Sequence, residues 1–257
     1  MEENITYRFG GIERLMGTAA LEKLQSSHVL VIGIGGVGSW AAEALVRSGI
    51  GEITLMDADD VCITNTNRQL HALNSTIGKP KVEVMKDRLI QINPNLKINI
   101  LNDFLTEKNI NETLDERFDY IFDAIDNVKL KCLMLIICRK KKIPLLMAGG
   151  AAGKIDPTKI TVANLEKSIN DMLLMRVKKK LRRDYGFPKD KTRFRTKCIF
   201  SSELAKYPDG QGGVCEEKPA GNLKLDCHTG MGTATFITGT FGFVASSHIV
   251  QTLVEKE

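Results

Sequence analysis

His28-Val-Leu-Val-Ile32, continued by Gly33-Ile-Gly35-Gly36-Val-Gly38, is the stretch that decides how this chain folds. A short apolar run rich in branched residues and ending at glycine reads as a strand buried on both faces. The glycines follow at G-x-G-x-x-G spacing, which permits a tight turn and lets a phosphate approach the backbone closely. A helix from about Gly36 to Arg47 points its N-terminus, with free N–H groups and positive potential, toward that phosphate. Gly49-Ile-Gly51 stops the helix, and Glu52-Ile-Thr-Leu-Met56 reads as a second strand. Such a βαβ unit predicts a parallel sheet with a right-handed crossover. On its own the turn suits ATP, a nicotinamide or a flavin.

Outward from this unit the alternation continues. Lys79 to Ile92 reads as a helix closed by Asn93-Pro94, Lys97 to Leu101 and Asp119 to Phe122 as strands, Lys129 to Lys140 as a helix, and Pro144 to Met147 as a strand running into Gly149-Gly150. Ahead of it, apolar residues at helical spacing predict one helix from Gly11 to Gln25. Strands alternating with helices predict a Rossmann-like doubly wound α/β fold, its mainly parallel sheet flanked by helices and its ligand at the strands' carboxyl ends. We read residues 1–257 as one domain. Residues 8–150 form its nucleotide-binding core, and residues 151–257 add a strand at Ile160 to Ala163, a helix at Asp171 to Tyr185, a basic loop and a final helix for substrate binding and dimerisation.

At 257 residues and 43% hydrophobic composition the chain can bury one sizeable core. Its six cysteines include no C-x-x-C pair, which argues against a structural zinc site. Met1-Glu-Glu-Asn4 fits no targeting pattern, so reduced thiols and a cytoplasmic location are expected. Thr229 to Ser247 carries no charge over about the length of a membrane span. Most of its residues are Gly, Thr or Ser, whose transfer energy is too small, and we read it as a buried helix.

The loop Asp57-Ala-Asp59-Asp-Val-Cys-Ile-Thr-Asn65-Thr-Asn67-Arg68-Gln69 narrows the choice of nucleotide. Asp57, at the end of the second strand, is placed for ribose hydroxyls in ATP or NAD alike. Asn65, Arg68 and Gln69 have no standard task around a dinucleotide, whereas a triphosphate needs donors and fixed positive charge about its leaving pyrophosphate. Lys81, after Gly78-Lys-Pro, starts a helix within reach of phosphate. Asp126, at another strand end, can hold Mg²⁺ through one carboxylate while waters and phosphate oxygens complete the shell.

These motifs, in this order, resemble the ubiquitin-activating superfamily of adenylating enzymes: Gly33 to Ser39, Asp57-x-Asp59 with Asn65-x-Asn67-Arg68-Gln69, Gly78-Lys-Pro-Lys81, and Asp123-x-x-Asp126-Asn127. The resemblance implies that Asp57 binds ribose, that Asn65, Arg68 and Lys81 contact phosphates, and that Asp126 binds the metal. Gly33, Gly35, Gly36, Gly38, Asp59, Gln69 and Asn127 belong to the same cofactor set. It also implies an N-terminal arginine, Arg8 or Arg14, reaching the ATP of a second copy, hence a homodimer. The branch that activates sulfur-carrier proteins typically has two C-x-x-C zinc pairs, absent here, although activation of a ubiquitin-like or sulfur-carrier C-terminus stays open as the alternative. Arg8-Phe-Gly-Gly11, Gly38-Ser-Trp-Ala-Ala-Glu43, Asp60 to Gln69 and Thr240-Phe-Gly-Phe-Val-Ala245 are instead similar to the bacterial tRNA threonylcarbamoyladenosine dehydratases. That branch implies ATP-dependent ring closure of a modified adenosine beside the anticodon, a monovalent cation (Na⁺ or K⁺), and by association a cysteine desulfurase as a sulfur-transfer partner.

From Arg176 to Lys197 the chain carries Arg176, Lys178, Lys179, Lys180, Arg182, Arg183, Lys189, Lys191, Arg193, Arg195 and Lys197 against two acids, Asp184 and Asp190. The bland reading is a solvated face; for a tRNA substrate the segment is a phosphate-docking stripe, and Tyr185, Phe187 and Phe194 are candidates to stack on an unpaired base. Cys227, beside His228 and ahead of the last helix, is either a nucleophile or a non-covalent part of the site. Cys198 and Cys215 are weaker candidates, and His28 and His71 read as structural.

Overall fold

In a computed structural model, which describes residues 5–188, 194–216 and 231–255, the βαβ unit forms where the sequence places it. Two helices precede it, α1 (Ile5–Met16) and α2 (Thr18–Ser26), in place of the single predicted helix. They are separated by Gly17 at φ 94°, a left-handed conformation glycine adopts without a Cβ penalty. The break lets α2 lay Ala20, Leu21 and Leu24 on the core. Then come β1 (His28–Ile32), α3 (Gly36–Arg47), β2 (Glu52–Met56), α4 (Lys81–Ile92), β3 (Lys97–Leu101), α5 (Ile110–Thr113), β4 (Tyr120–Asp123), α6 (Val128–Lys141) and β5 (Leu145–Ala148). Helix α4 starts two residues later than predicted, because a residue before proline, here Lys79, is pushed out of the helical region.

The second half supplies β6 (Ile160–Asn164), α7 (Met172–Asp184), β7 (Lys197–Ser201), the hairpin β8 (Tyr207–Pro208) with β9 (Val214–Cys215), and α8 (Thr235–Val254). Strand β7 was not expected: its apolar run is short and its first residue closes the basic segment. It pairs parallel with β5 and antiparallel with β6. Helix α8 begins six residues after the predicted start at Thr229, and residues 217–230 lie outside the described residues.

The seven strands run in the order β3-β2-β1-β4-β5-β7-β6, parallel except for β6. Strand order reverses between β1 and β4, so the crevice for a ligand opens at their carboxyl ends. Alternate strand residues face opposite ways. Val29, Val31 and Phe122 join α3, α4 and α8 in one apolar layer, while Leu30, Ile32 and Ile121 join α6 and α7 in the other. Helix α8 is the one helix among the described residues long and apolar enough to cross a membrane, and 56% of its most apolar window is buried inside the protein. Phe241, Ala245 and Ile249 lie in the same core as α3, and Trp40 meets Phe243 edge to face at 5.9 Å.

A buried ion pair joins the ends of β4 and β5. Lys131 Nζ donates to Asp123 Oδ1 at 2.9 Å and to the Ala148 carbonyl at 2.7 Å, with both side chains fully buried. Burial pushes the Asp123 carboxyl upward against the pull of Lys131. The ammonium thus clamps the two strand ends from which the site loops leave.

Candidate active site

The glycine turn is fixed by its neighbours before any ligand arrives. Ile34 N donates to Asp57 Oδ2 at 2.6 Å, and the Ile34 carbonyl accepts from His71 Nε2 at 2.7 Å. His71 lies in a turn, and burial lowers its pKa, which suits a neutral ring with one N–H to give. A Cβ on Gly38 would lie 1.8 Å from the Gly33 carbonyl oxygen. Gly38 therefore serves the closeness of turn and helix. The other oxygen of Asp57, Oδ1, accepts from Asp59 N at 2.8 Å. Each carboxylate oxygen has two acceptor sites, so one remains on each for ribose hydroxyls.

The crossover from β2 to α4 is closed on itself. Val61 N donates to Lys79 O, and Lys81 N to Asp59 O. This brings Lys81, 5% exposed, to Asp59 with Nζ–Oδ2 2.7 Å. Asn65 is buried, and its side-chain oxygen accepts from Cys62 N at 3.0 Å. Asn65 thereby holds the turn. Arg68 is half-buried, and its Nη1 donates to Thr64 O at 2.8 Å and Asn67 Oδ1 at 3.1 Å.

Two cavities adjoin at the strand ends. The first, about 520 Å³, is lined by Gly33, Gly35, Asp57, Asp59, Gln69, Lys81, Asp126 and Asn127. Buried Gln69 Oε1 is without a hydrogen-bond partner, which makes it an acceptor waiting for a ligand donor such as a ribose hydroxyl. The second, about 370 Å³, is lined by Gly36, Arg68 and Asp126, by Gly149 and Gly150 after β5, and by Lys154, Asp171, Arg176 and Tyr207 from the second half. Ala124, Ile125 and Asp126 are common to both. Sequence reasoning gathered Arg68 with the nucleotide residues, whereas the structure sets it in the second cavity.

What holds Arg68 comes from the far end of the chain. Its carbonyl accepts from Thr238 Oγ1 at 3.0 Å and Trp40 Nε1 at 3.2 Å. Thr235 Oγ1 donates to Asn67 O at 2.7 Å, and Asn67 Nδ2 to Thr233 O at 2.8 Å. The N-terminus of α8 is thereby latched to the arginine loop. Lys154, Asp171, Tyr207 and the latch were missed in the sequence. The one available signal was Asp171 as the N-cap of a helix, and capping points to no cavity.

Among the described residues no three His, Cys, Asp or Glu side chains cluster as a metal site. One exposed carboxylate, Asp126, stands between the cavities. That donor set fits Mg²⁺ held mainly by phosphate oxygens and water, and not an all-protein cage. Neither Arg8, whose Nη1 donates to Ile92 O at 2.9 Å, nor Arg14 lines either of these two cavities.

The basic segment divides. Lys178 donates to the Ser168 carbonyl at 2.7 Å, Lys180 and Arg183 pair with Asp184, and Arg182 lies over the Phe194 ring at 5.4 Å. Arg176, Lys179, Arg195 and Lys197 are exposed. Phe194 is 2% exposed and stacked on Phe187 at 5.5 Å, so it belongs to the core and is not free to stack on a base. Lys191, Arg193, Cys227 and His228 lie outside the described residues. Cys198 is buried, and burial pushes its thiol up to about 12. A thiol so disfavoured as thiolate is no nucleophile.

Residues 11–257 match the ThiF family. The chain belongs to that family. It is 47% identical over 252 residues to the tRNA threonylcarbamoyladenosine dehydratase of Escherichia coli strain K12, spanning 97% of this chain and 94% of that protein. To the dehydratase of Haemophilus influenzae it is 45% identical over 256 residues, 99% of this chain and 96% of that protein. The crystal structure of the E. coli dehydratase in complex with ATP superimposes with a TM-score of 0.86 at 44% identity, covering 98% of this chain and 95% of that one.

Proposed function

We propose that this chain is an ATP- and Mg²⁺-dependent tRNA threonylcarbamoyladenosine dehydratase. It activates the threonyl carboxylate as an acyl-adenylate and closes the ring with net loss of water. The observation that carries this reading is the pair of adjoining cavities with one shared wall, Ala124 to Asp126. A nucleotide in the first and an acyl group in the second meet at that wall, and orientation of two bound reactants supplies much of the rate.

A carboxylate is a poor electrophile because its leaving group is oxide, and attack on the α-phosphate of ATP replaces oxide with AMP. Asp57 and Gln69 hold the ribose. Lys81 from the first cavity and Arg68 from the second place fixed positive charge on either side of the reacting phosphate, where it stabilises the departing pyrophosphate. Asp126 would hold Mg²⁺, which neutralises phosphate charge when bound with ATP. Ring closure by the substrate's own carbamoyl group is intramolecular and needs no covalent enzyme intermediate, so Cys227 is assigned a non-covalent role. Exposed Arg176, Lys179, Arg195 and Lys197 dock tRNA phosphates. The active form is a cytoplasmic homodimer in which Arg8 or Arg14 reaches the partner's ATP.

The test is incubation with ATP, Mg²⁺ and tRNA bearing threonylcarbamoyladenosine, followed by mass spectrometry of the nucleosides. Loss of one water is expected, and an unchanged nucleoside refutes the reading. The second reading, adenylation of a protein C-terminus, has one observation in its favour. The molybdopterin-synthase adenylyltransferase of E. coli is 36% identical over 135 residues, though that is 52% of this chain and 53% of that protein. ATP–pyrophosphate exchange driven by a Gly-Gly-terminated protein, and not by tRNA, would select it.

A further inference from the structure

Ring closure requires a base, because whichever carbamoyl atom attacks the acyl carbon, the carbamoyl group must lose an N–H proton. Among the described residues no histidine lines either cavity. Among the described residues the ionisable side chains around the second cavity are Arg68, Asp126, Lys154, Asp171, Arg176 and Tyr207. Arginine stays protonated. Lys154 Nζ donates to Asn170 O at 3.1 Å and to the Glu203 carbonyl, contacts that tie its amine to the backbone, and burial lowers its pKa against the pull of Asp171 and Glu203. Tyr207 gives its hydroxyl to Met172 Sδ at 3.2 Å. Asp126 is exposed, shared with the nucleotide cavity, and placed for the metal. Asp171 is left.

Its setting fits the task. Asp171 is 7% exposed; Oδ2 accepts from Gly150 N and Oδ1 from Leu174 N, both at 2.8 Å. One acceptor site remains on each oxygen. A Cβ on Gly149 would stand 2.0 Å from Oδ2, so that oxygen lies over the Gly149-Gly150 backbone that lines the cavity. A helix cap needs one carboxylate oxygen; the second bonds Gly150 N, on the backbone that lines the second cavity.

We propose that Asp171, within the reading given above, accepts the carbamoyl proton during ring closure. The carbamoyl atom bonds to the acyl carbon, the bond from that carbon to the AMP oxygen breaks with its electron pair leaving on AMP, and the N–H proton passes to Asp171, which returns it to solvent. Burial raises this carboxyl above the ordinary range, opposed by the two backbone donors and by Lys131 and Lys154, while Lys178 and Cys198 face it from α7 and β7. A raised pKa makes a carboxylate a stronger base near neutrality.

The experiment uses the full-length protein carrying Asp171→Asn, which can keep the Oδ1 cap for Leu174 N but loses the base and the acceptor for Gly150 N. tRNA-dependent ATP–pyrophosphate exchange reads adenylation alone; mass spectrometry reads ring closure. Exchange within about twofold of wild type with closure slowed about 100-fold is expected for loss of a general base. The wild-type closure rate should rise with pH through a carboxyl titration, a limb absent from the variant. Gly149→Ala, which displaces the carboxylate without changing charge, should show the same split. Closure at the wild-type rate in Asp171→Asn overturns the proposal, as does a parallel loss of exchange and closure, which marks a structural role. Absence of both activities in the wild type would instead strike the proposed function.

Discussion

The two cavities share a wall and differ in how the chain encodes them. The first cavity is assembled from short motifs, each at the end of a strand, with Gly33 after β1, Asp57 after β2 and Asp126 after β4. The second is assembled from Gly149 after β5, the first turn of α7, Tyr207 of β8, and Thr238 of α8, segments separated by dozens of residues with no common pattern. A phosphate-binding turn constrains local backbone and so leaves a sequence signature. A cavity shaped by tertiary packing leaves none.

The widest effect should come from the clamp beneath the shared wall. Lys131→Met leaves the Asp123 carboxyl buried and unpaired, and should cost about 3–5 kcal/mol of stability in urea denaturation. Adding Asp123→Asn should recover much of that, since removing both charges is cheaper than removing one. A single variant as stable as wild type would break the assignment of the pair as a clamp. Next in size, Lys81→Ala should slow tRNA-dependent adenylation about 100- to 1,000-fold, by loss of a preorganised charge at the leaving group. Asp171→Asn should spare adenylation and slow closure, so these two variants divide the reaction between the cavities.

Smaller effects probe what surrounds the second cavity. Thr238→Val removes the α8 hydroxyl from the Arg68 carbonyl. Turnover should fall about fivefold, in line with a net hydrogen bond of about 1 kcal/mol, with little change in ATP affinity. Smallest, Lys179→Ala should weaken tRNA binding and reduce the slope of log affinity against log salt by about one phosphate contact. An unchanged slope would place the docking surface elsewhere.

The fold was largely legible because branched apolar runs and glycine stops recur at the carboxyl ends of strands. Strand β7 was not, since Lys197 to Ser201 is short and its pairing with β5 and β6 is a tertiary fact. Gly33, Gly35, Asp57, Asp59, Gln69, Lys81, Asp126 and Asn127, all marked in the sequence, come together around the first cavity. Asn65 and Gly38, from the same motifs, hold the loop and the turn, and Arg68 lines the neighbouring cavity. Phe194 lies amid basic residues but is folded under Arg182, because a charged neighbourhood in sequence does not fix which way a ring points.

The claim that carboxylate activation at the shared wall is the central step can be tested with tRNA whose threonyl carboxylate is labelled with heavy oxygen. Attack on the α-phosphate transfers one labelled oxygen to AMP, so AMP heavier by one label for each ring closed is the expected result. Labelled oxygen appearing in pyrophosphate or water, with unlabelled AMP, would contradict it.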